Sequence, residues 1–265
     1  ASLRWMLVLA ISLSVLARAC HGQMPGPPTF STDSVVHGAT FQKGAFAPNT
    51  FISIFGENLA WSTQSVSAAN LLANSLPTSL GGVQVLIGPT LGFLVYVSPT
   101  QINVLIDNRL TPGAYTLRVL RDSLAGPHAA QITIAATAPG LFAIADGIPV
   151  VTRPDGSLVT PESPARPGQI VTLWATGLGP VLPPLKPGEL PRGAAPLDQK
   201  VPFEVRVNGV PIPGGHILYA GVAPGFAGLY QINILLPEGT PPDPTIRVGY
   251  PDALSPAGQT ISVAP

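Results

Sequence analysis

The sequence predicts an all-β chain of two tandem β-sandwich domains behind an N-terminal export signal. Three observations lead there. Short apolar runs alternate with turn residues along most of the chain, one strand-and-turn block occurs twice at an offset of 119 residues, and helical periodicity is almost absent.

Composition agrees. A chain of 265 residues, 46% of them hydrophobic, has enough apolar side chains to fill two ordinary cores. The 32 prolines and 28 glycines follow no collagen period and punctuate the apolar runs, which reads as many short strands joined by turns. Charged residues make up only 10%, and 13 basic side chains cancel 13 acidic ones. That balance leaves no basic footprint for nucleic acid or an anionic membrane surface, so neither is expected as a partner.

In chain order, residues 1–19 read as a signal peptide. Arg4 precedes the apolar run Trp5 to Ala17, and Ala17-Arg18-Ala19 supplies the small-x-small pattern for cleavage after Ala19. The run is shorter than the roughly 20 residues that cross a bilayer, so no transmembrane span is expected in the mature chain. Cys20 follows the cut, where a lipoprotein carries its acyl chains. Arg18, and Leu16 four rather than three residues upstream, depart from that pattern, and a lipid anchor is the lesser alternative. One cysteine excludes an internal disulfide and a cysteine-based metal site. The expected destination is periplasmic, cell-surface or extracellular.

Residues 20–30 form a Pro/Gly-rich tether, 31–142 the first sandwich, and 143–265 the second, which starts with a hairpin at 148–160. The duplicated block runs from Pro48 to Leu59 and again from Pro167 to Leu178. Its β-branched and aromatic residues suit a pleated surface. Asn58 and Gly177 supply the left-handed exit turn, after which Leu59 and Leu178 fold back into the core. An alternating strand follows in each copy, with Val83, Val85 and Ile87 in the first and Phe203, Val205 and Val207 in the second. Then comes a shared tripeptide, Gln101-Ile102-Asn103 and Gln231-Ile232-Asn233. Pro112-Gly113 opens a strand in which Tyr115, Leu117 and Val119 share a face. Asp155-Gly156 is expected to close a two-residue hairpin turn that pairs Val150-Val151-Thr152 with Leu158-Val159-Thr160. The one helical candidate is Ser67 to Leu76, one or two turns long. A duplicated unit of about 110 residues made of short strands points to paired immunoglobulin-like sandwiches.

The segments Phe55-Gly56-Glu57-Asn58-Leu59 and Pro112-Gly113-Ala114-Tyr115-Thr116-Leu117 look like the IPT/TIG branch of the immunoglobulin-like folds. A further series of motifs includes Ser79-Leu80-Gly81-Gly82-Val83, Tyr96-Val97-Ser98-Pro99-Thr100-Gln101-Ile102-Asn103, Ala138-Pro139-Gly140-Leu141-Phe142, Ala175-Thr176-Gly177-Leu178-Gly179-Pro180 and Ala223-Pro224-Gly225-Phe226-Ala227-Gly228-Leu229-Tyr230. It resembles a family of secreted acidobacterial proteins called the Solibacter C-terminal domain, over nearly everything from Thr29 to Pro265. The resemblance implies export and an immunoglobulin-like fold and brings no established activity or site residue.

No catalytic centre is legible. His21, His37, His128 and His216 are scattered without metal-ligand spacing and read as surface or loop residues. No Gly-x-Ser-x-Gly elbow occurs. Asp146, Asp155 and Glu162 lack calcium-loop spacing and read as turn residues. No catalytic residue, metal or cofactor is expected.

The twin Gln-Ile-Asn motifs are expected to satisfy backbone groups at a strand edge or corner, with ligand contact the alternative. Trp174 replaces Phe55 in the second copy and reads as core or junction packing. From Tyr96 to Gln101 is five positions, whereas Tyr219 to Gln231 is twelve, so the second copy carries a longer loop around Phe226. The candidate binding surface is therefore Phe226 with Tyr219 at the start of that connection, together with Trp61 in a polar loop. The expected function is a non-catalytic exported binding or adhesion module whose ligand is a polysaccharide, another polymer or an extracellular protein. The alternatives are a structural spacer or assembly unit, and third a hydrolase whose site converges only in the fold.

Overall fold

The computed structural model describes residues 26–145, 147–198 and 202–264. The expected signal peptide, Cys20, His21 and Asp146 lie outside the described residues, as does the tether up to residue 25. The chain is all-β: two immunoglobulin-like sandwiches follow one another, and among the described residues no helix is long and apolar enough to cross a membrane.

The first sandwich is built from β1 (Thr29–His37), β2 (Phe51–Glu57), β3 (Gln64–Ser65), β4 (Val83–Ile87), β5 (Thr90–Leu91), β6 (Phe93–Val97), β7 (Gln101–Leu105), β8 (Gly113–Arg121), β9 (Leu124–Ala125) and β10 (Ala130–Ile134). One sheet has the order β1-β2-β7-β6-β3, and the other β10-β8-β4-β5 with β9 beside β8. Alternation puts Ile52, Ile54, Ile102 and Val104 of the first sheet against Val85, Ile87, Leu117 and Val119 of the second, all fully buried.

The second sandwich repeats the plan with β11 (Gly140–Leu141), β12 (Ala143–Ala145), β13 (Ile148–Pro149), β14 (Val151–Thr152), β15 (Ile170–Thr176), β16 (Ala195–Pro196), β17 (Glu204–Val207), β18 (Val210–Pro211), β19 (Ile217–Val222), β20 (Tyr230–Leu235), β21 (Ile246–Tyr250) and β22 (Ala253–Leu254). Its larger sheet runs β11-β15-β20-β19-β16 with β14 beside β15, and its smaller one β18-β17-β21-β22. β2 and β15 coincide under the 119-residue offset. Asn58 and Gly177 exit at φ 56° and 79°, and Leu59 and Leu178 are fully buried behind them.

Two local expectations change. The Ser67–Leu76 segment makes one three-residue 3-10 turn, Ala68–Asn70, fastened by the Ser67 N–H and hydroxyl on Asn70 Oδ1. Ala73 and Asn74 then take positive φ, and Leu76 N–H bonds Gly188 O of the second sandwich while Leu190 N–H bonds Asn74 O. Tertiary pairing has overridden a weak helical propensity. The Asp155-Gly156 hairpin closes on three residues rather than two. Gly156 N–H returns to Arg153 O, Gly156 sits at φ 83°, and Thr152 bridges Leu158, which is a type I turn ending in a left-handed glycine.

The two sandwiches are joined by part-buried hydrogen bonds. Thr176, at the end of β15, is fully buried; its hydroxyl accepts the Phe51 N–H at 3.2 Å and donates to Gly228 O at 2.8 Å. Asn49 donates to the buried Tyr230 hydroxyl, which donates to Gly179 O. An apolar cluster of Leu76, Phe93, Leu105 and Ala227 fills the space between them.

His37 corrects the reading of all four histidines as surface or loop residues. It ends β1 at 6% exposure, covered by the linker that joins the sandwiches. Its Nδ1 accepts N–H groups from Ala39 and Thr40, so Nε2–H donates to Ala138 O at 3.0 Å. Ala138 N–H in turn bonds Gly177 O. The linker is held from both sides.

Burial of the His37 ring lowers its pKa to about 4, the carbonyl bond opposing this in part. The unfolded chain then binds more protons between about pH 6.5 and 4, so stability is complete above 6.5 and falls by up to about 3 kcal/mol as pH drops through that window. Urea titrations of wild type and His37→Gln across the window should show the extra acid loss in wild type alone. Thr176→Val should cost about 3 kcal/mol by orphaning the Phe51 N–H and Gly228 carbonyl, while Thr176→Ser retains most of the stability; the midpoint of urea unfolding reads both.

Candidate binding cleft

A strand alternates its faces, so the residues between the core positions of β2, β7, β15 and β20 point away from their own sandwich. In the first, Phe51, Ser53 and Phe55 stand opposite Leu105, Asn103 and Gln101. In the second, Ile170, Thr172 and Trp174 stand opposite Leu235, Asn233 and Gln231. Each row thus holds an apolar pair, a hydroxyl–Asn pair and an aromatic–Gln pair.

The hydrogen bonds repeat as well. Ser53 donates to Asn103 Oδ1 at 3.0 Å and Gln101 Nε2 donates to the same oxygen at 2.9 Å; Thr172 and Gln231 do likewise to Asn233, at 3.0 and 2.9 Å. The tripeptides therefore do not serve a sheet edge, as the sequence suggested. β7 and β20 are interior strands, and the amides bond side chain to side chain.

Between these two outward faces lies a cleft of about 1400 Å³. Ser53, Asn103 and Tyr96 line it from one side, and Thr172, Gln231 and Asn233 from the other. Phe51, Phe142, Trp174 and Phe226 add aromatic surface. Trp174 is 7% exposed and its indole N–H donates to Thr152 Oγ1 at 3.0 Å, so the ring is fixed as a wall of the cleft. It packs outside the second core cluster, on the junction side, in keeping with its reading as core or junction packing.

Among the described residues no Asp, Glu, His, Lys or Cys lines the cleft. The one charge among them is Arg153, whose guanidinium donates to the carbonyls of Leu158, Ser163 and Pro164. Among the described residues no group of three or more His, Cys, Asp or Glu could hold a metal ion.

Of the candidate residues read from sequence, Phe226 lines the cleft, half-buried on the long loop. That loop also wedges the junction: Ala227 joins the apolar cluster between the sandwiches, and Gly225 N–H bonds Pro191 O. Tyr219 and Trp61 are not among the lining residues. The Tyr219 hydroxyl accepts from Ala195 N–H and donates to Val222 O, fastening β16 to β19, and partial burial raises its pKa. Trp61 is 48% exposed, with Arg121 stacked 3.9 Å from its ring centroid and its N–H on Asp122. The structure does not bring Trp61 and Phe226 into one cleft. Gln101 is not among the lining residues, whereas Asn103, Gln231, Asn233 and Tyr96 are, and sequence reasoning left those four out of the candidate surface. Their signal was the absence of charge on either face of 51–55 and 170–174.

No protein-family model and no curated protein matches this sequence. Among solved structures, the chain is similar to the surface glycan-binding protein PbSGBP-B from Prevotella bryantii, at 14% identity and TM-score 0.27, over 87% of this chain and 41% of that one. It is also similar to SGBP-B of the Bacteroides ovatus mixed-linkage glucan utilization locus in complex with a mixed-linkage heptasaccharide, at 11% identity and TM-score 0.35, over 84% and 44%. A titin tandem matches at 12% identity and TM-score 0.25, over 87% and 66%. The chain spans less than half the length of the two glycan-binding chains. Likenesses this weak carry no functional argument.

Replacing Thr152 with Val should leave the Trp174 N–H buried without an acceptor and cost about 1–3 kcal/mol. Thermal unfolding checks it, and a Trp174→Phe, Thr152→Val double variant should recover part of that loss.

Proposed function

We propose that the chain is an exported, non-catalytic binding module of the cell envelope or extracellular space, whose cleft holds a neutral polysaccharide. The observation that carries this reading is the lining: amides, hydroxyls and aromatic rings set among aliphatic side chains, with one charge among the described residues, already bonded to backbone. Hydrogen-bonding groups set among aromatic surface suit an uncharged, hydroxyl-rich ligand. A volume of about 1400 Å³ exceeds the roughly 1,000 Å³ of the larger single-molecule pockets, which suits a polymer segment. Glycoside hydrolysis ordinarily needs two carboxyl groups flanking the bond, and among the described residues none lines the cleft. Export is supported by the leader pattern from Arg4 to Ala19.

A structural spacer is the second reading, favoured by the hydrogen bonds that fasten one sandwich to the other and to the linker. Affinity gel electrophoresis separates the two. The neutral polymers xyloglucan, galactomannan and dextran, and the anionic polygalacturonate, would be cast into native gels. At least one neutral polymer should retard the protein and polygalacturonate should not. Phe226→Ala should weaken the retardation and Trp61→Ala leave it unchanged. Migration unaffected by every neutral polymer would overturn the binding reading in favour of the spacer.

A further inference from the structure

Each Asn–Gln ladder has donors and acceptors to spare. The Oδ1 of Asn103 is taken by Ser53 and Gln101, and that of Asn233 by Thr172 and Gln231. With both bonds made to the oxygen, the amide plane is fixed and the NH₂ group is left over. Neither Asn Nδ2 nor either Gln Oε1 has a protein partner among the described residues. All four groups are half-buried rather than sealed.

A half-buried amide with idle donors, beside a carbonyl oxygen with idle lone pairs, is unusual on an interior strand, where an outward face offers water or apolar packing. The combination presents two donors and an acceptor side by side. It complements a pair of neighbouring hydroxyls, one accepting from the Asn amide and the other donating to the Gln oxygen.

An extended peptide is a poorer match. Peptides that join sheets do so through backbone groups at an open edge, whereas β7 and β20 have their backbone groups engaged by neighbours on both sides. The surface speaks only through side chains.

From the duplication of this arrangement we propose that the two ladders are two related diol-reading subsites, one on Asn103, which lines the cleft, with Gln101 beside it outside the lining, and one on Asn233 and Gln231, which both line it; they engage two separate residues of one neutral glycan chain. This rests on the polysaccharide reading above. Aromatic residues neighbour both subsites: Trp174 lines the cleft opposite Gln231, while Phe55, opposite Gln101, does not line it. Tyr96 flanks Asn103 across β6. The subsites share their amide chemistry and differ in their rings, so one ligand chemistry fits both with unequal strength. A ligand repeating the same hydroxyl pattern along its length is the simplest occupant that uses both.

Isothermal titration of the full chain with short and long cello-, xylo- and manno-oligosaccharides tests this. Two copies of a short oligosaccharide should bind per chain, falling to one in Asn103→Asp and in Asn233→Asp and to none in the double variant. The Asp variants keep the oxygen that Ser53, Thr172 and the glutamines bond but lose the NH₂ group. Asn103→Ala and Asn233→Ala, checked by circular dichroism for folding, should give the same stoichiometries. A long oligosaccharide should bind once per chain and lose about tenfold in affinity with each single variant, the weight of one well-placed polar contact. A wild-type stoichiometry of one for short oligosaccharides, or retention of the polymer unchanged by all four variants, would overturn the two-subsite inference while leaving polysaccharide binding intact. Failure of every neutral polymer to retard the wild-type protein would remove the reading on which it stands.

Discussion

The hydroxyl of Thr176 fixes how the molecule is put together. Phe51, where β2 begins, and Gly228, in the long loop before β20, each bring a backbone group to a dry place where their own sheet offers no partner. One buried hydroxyl serves both, and it belongs to the opposite sandwich from Phe51. The first sandwich cannot bury that corner alone without orphaning the Phe51 N–H, which costs about as much as several packed methylenes. The junction is thus a consequence of backbone accounting as much as of apolar contact. From it follows the orientation that sets the outward faces of β2–β7 and β15–β20 across from one another.

The same corner explains why the two copies differ in length. The second copy's connection from Tyr219 to Gln231 is longer than its counterpart, and its residues are spent on the first sandwich. Ala227 packs with Leu105 and Phe93, and a side chain at Gly228 would meet Leu105 and Phe51, so only glycine fits that approach. Phe226, next to them, is left beside the cleft. On the other side His37 holds the linker through Ala138, and it is neutral because the linker that it binds also shuts out water.

What was legible in the sequence was what is local. The turn chemistry of Asn58 and Gly177, the inward Leu59 and Leu178, and the alternation of β4 and β8 depend on neighbours a few residues away, and each appears where the pattern set it. The errors concern non-local partners. Gln101-Ile102-Asn103 was assigned to an edge because strand order cannot be read from one strand, and β7 lies between β2 and β6. His37 reads as a surface or loop residue from its neighbours in sequence because its cover, Ala138 to Gly140, lies about a hundred residues away. The helical reading of Ser67–Leu76 is met only by the single turn Ala68–Asn70, because Asn74 and Leu76 are engaged by Leu190 and Gly188 of the other sandwich. One signal did survive in plain view: a sheet with solvent on its outer face usually carries charge there, and Phe51-Ile52-Ser53-Ile54-Phe55 and Ile170-Val171-Thr172-Leu173-Trp174 carry none.

The cleft owes its chemistry to this arrangement in a further sense. Ladders of Ser–Asn–Gln and Thr–Asn–Gln satisfy their own inner bonds, so their outward groups keep one orientation whether or not a ligand is present. Trp174 is pinned by Thr152 and the two sheets by Thr176, which leaves few rotamers to freeze on binding. Affinity for an uncharged, strongly hydrated ligand is limited by such ordering costs, because each hydroxyl gives up a bond to water for one to protein at little net gain. A site made of pre-set amides on the interior strands of two fastened sheets reduces those costs at the scaffold level, before any single contact is considered. The fastened junction and the cleft's single, backbone-bonded charge among the described residues are then two parts of one arrangement, the first setting the geometry in which the second is presented.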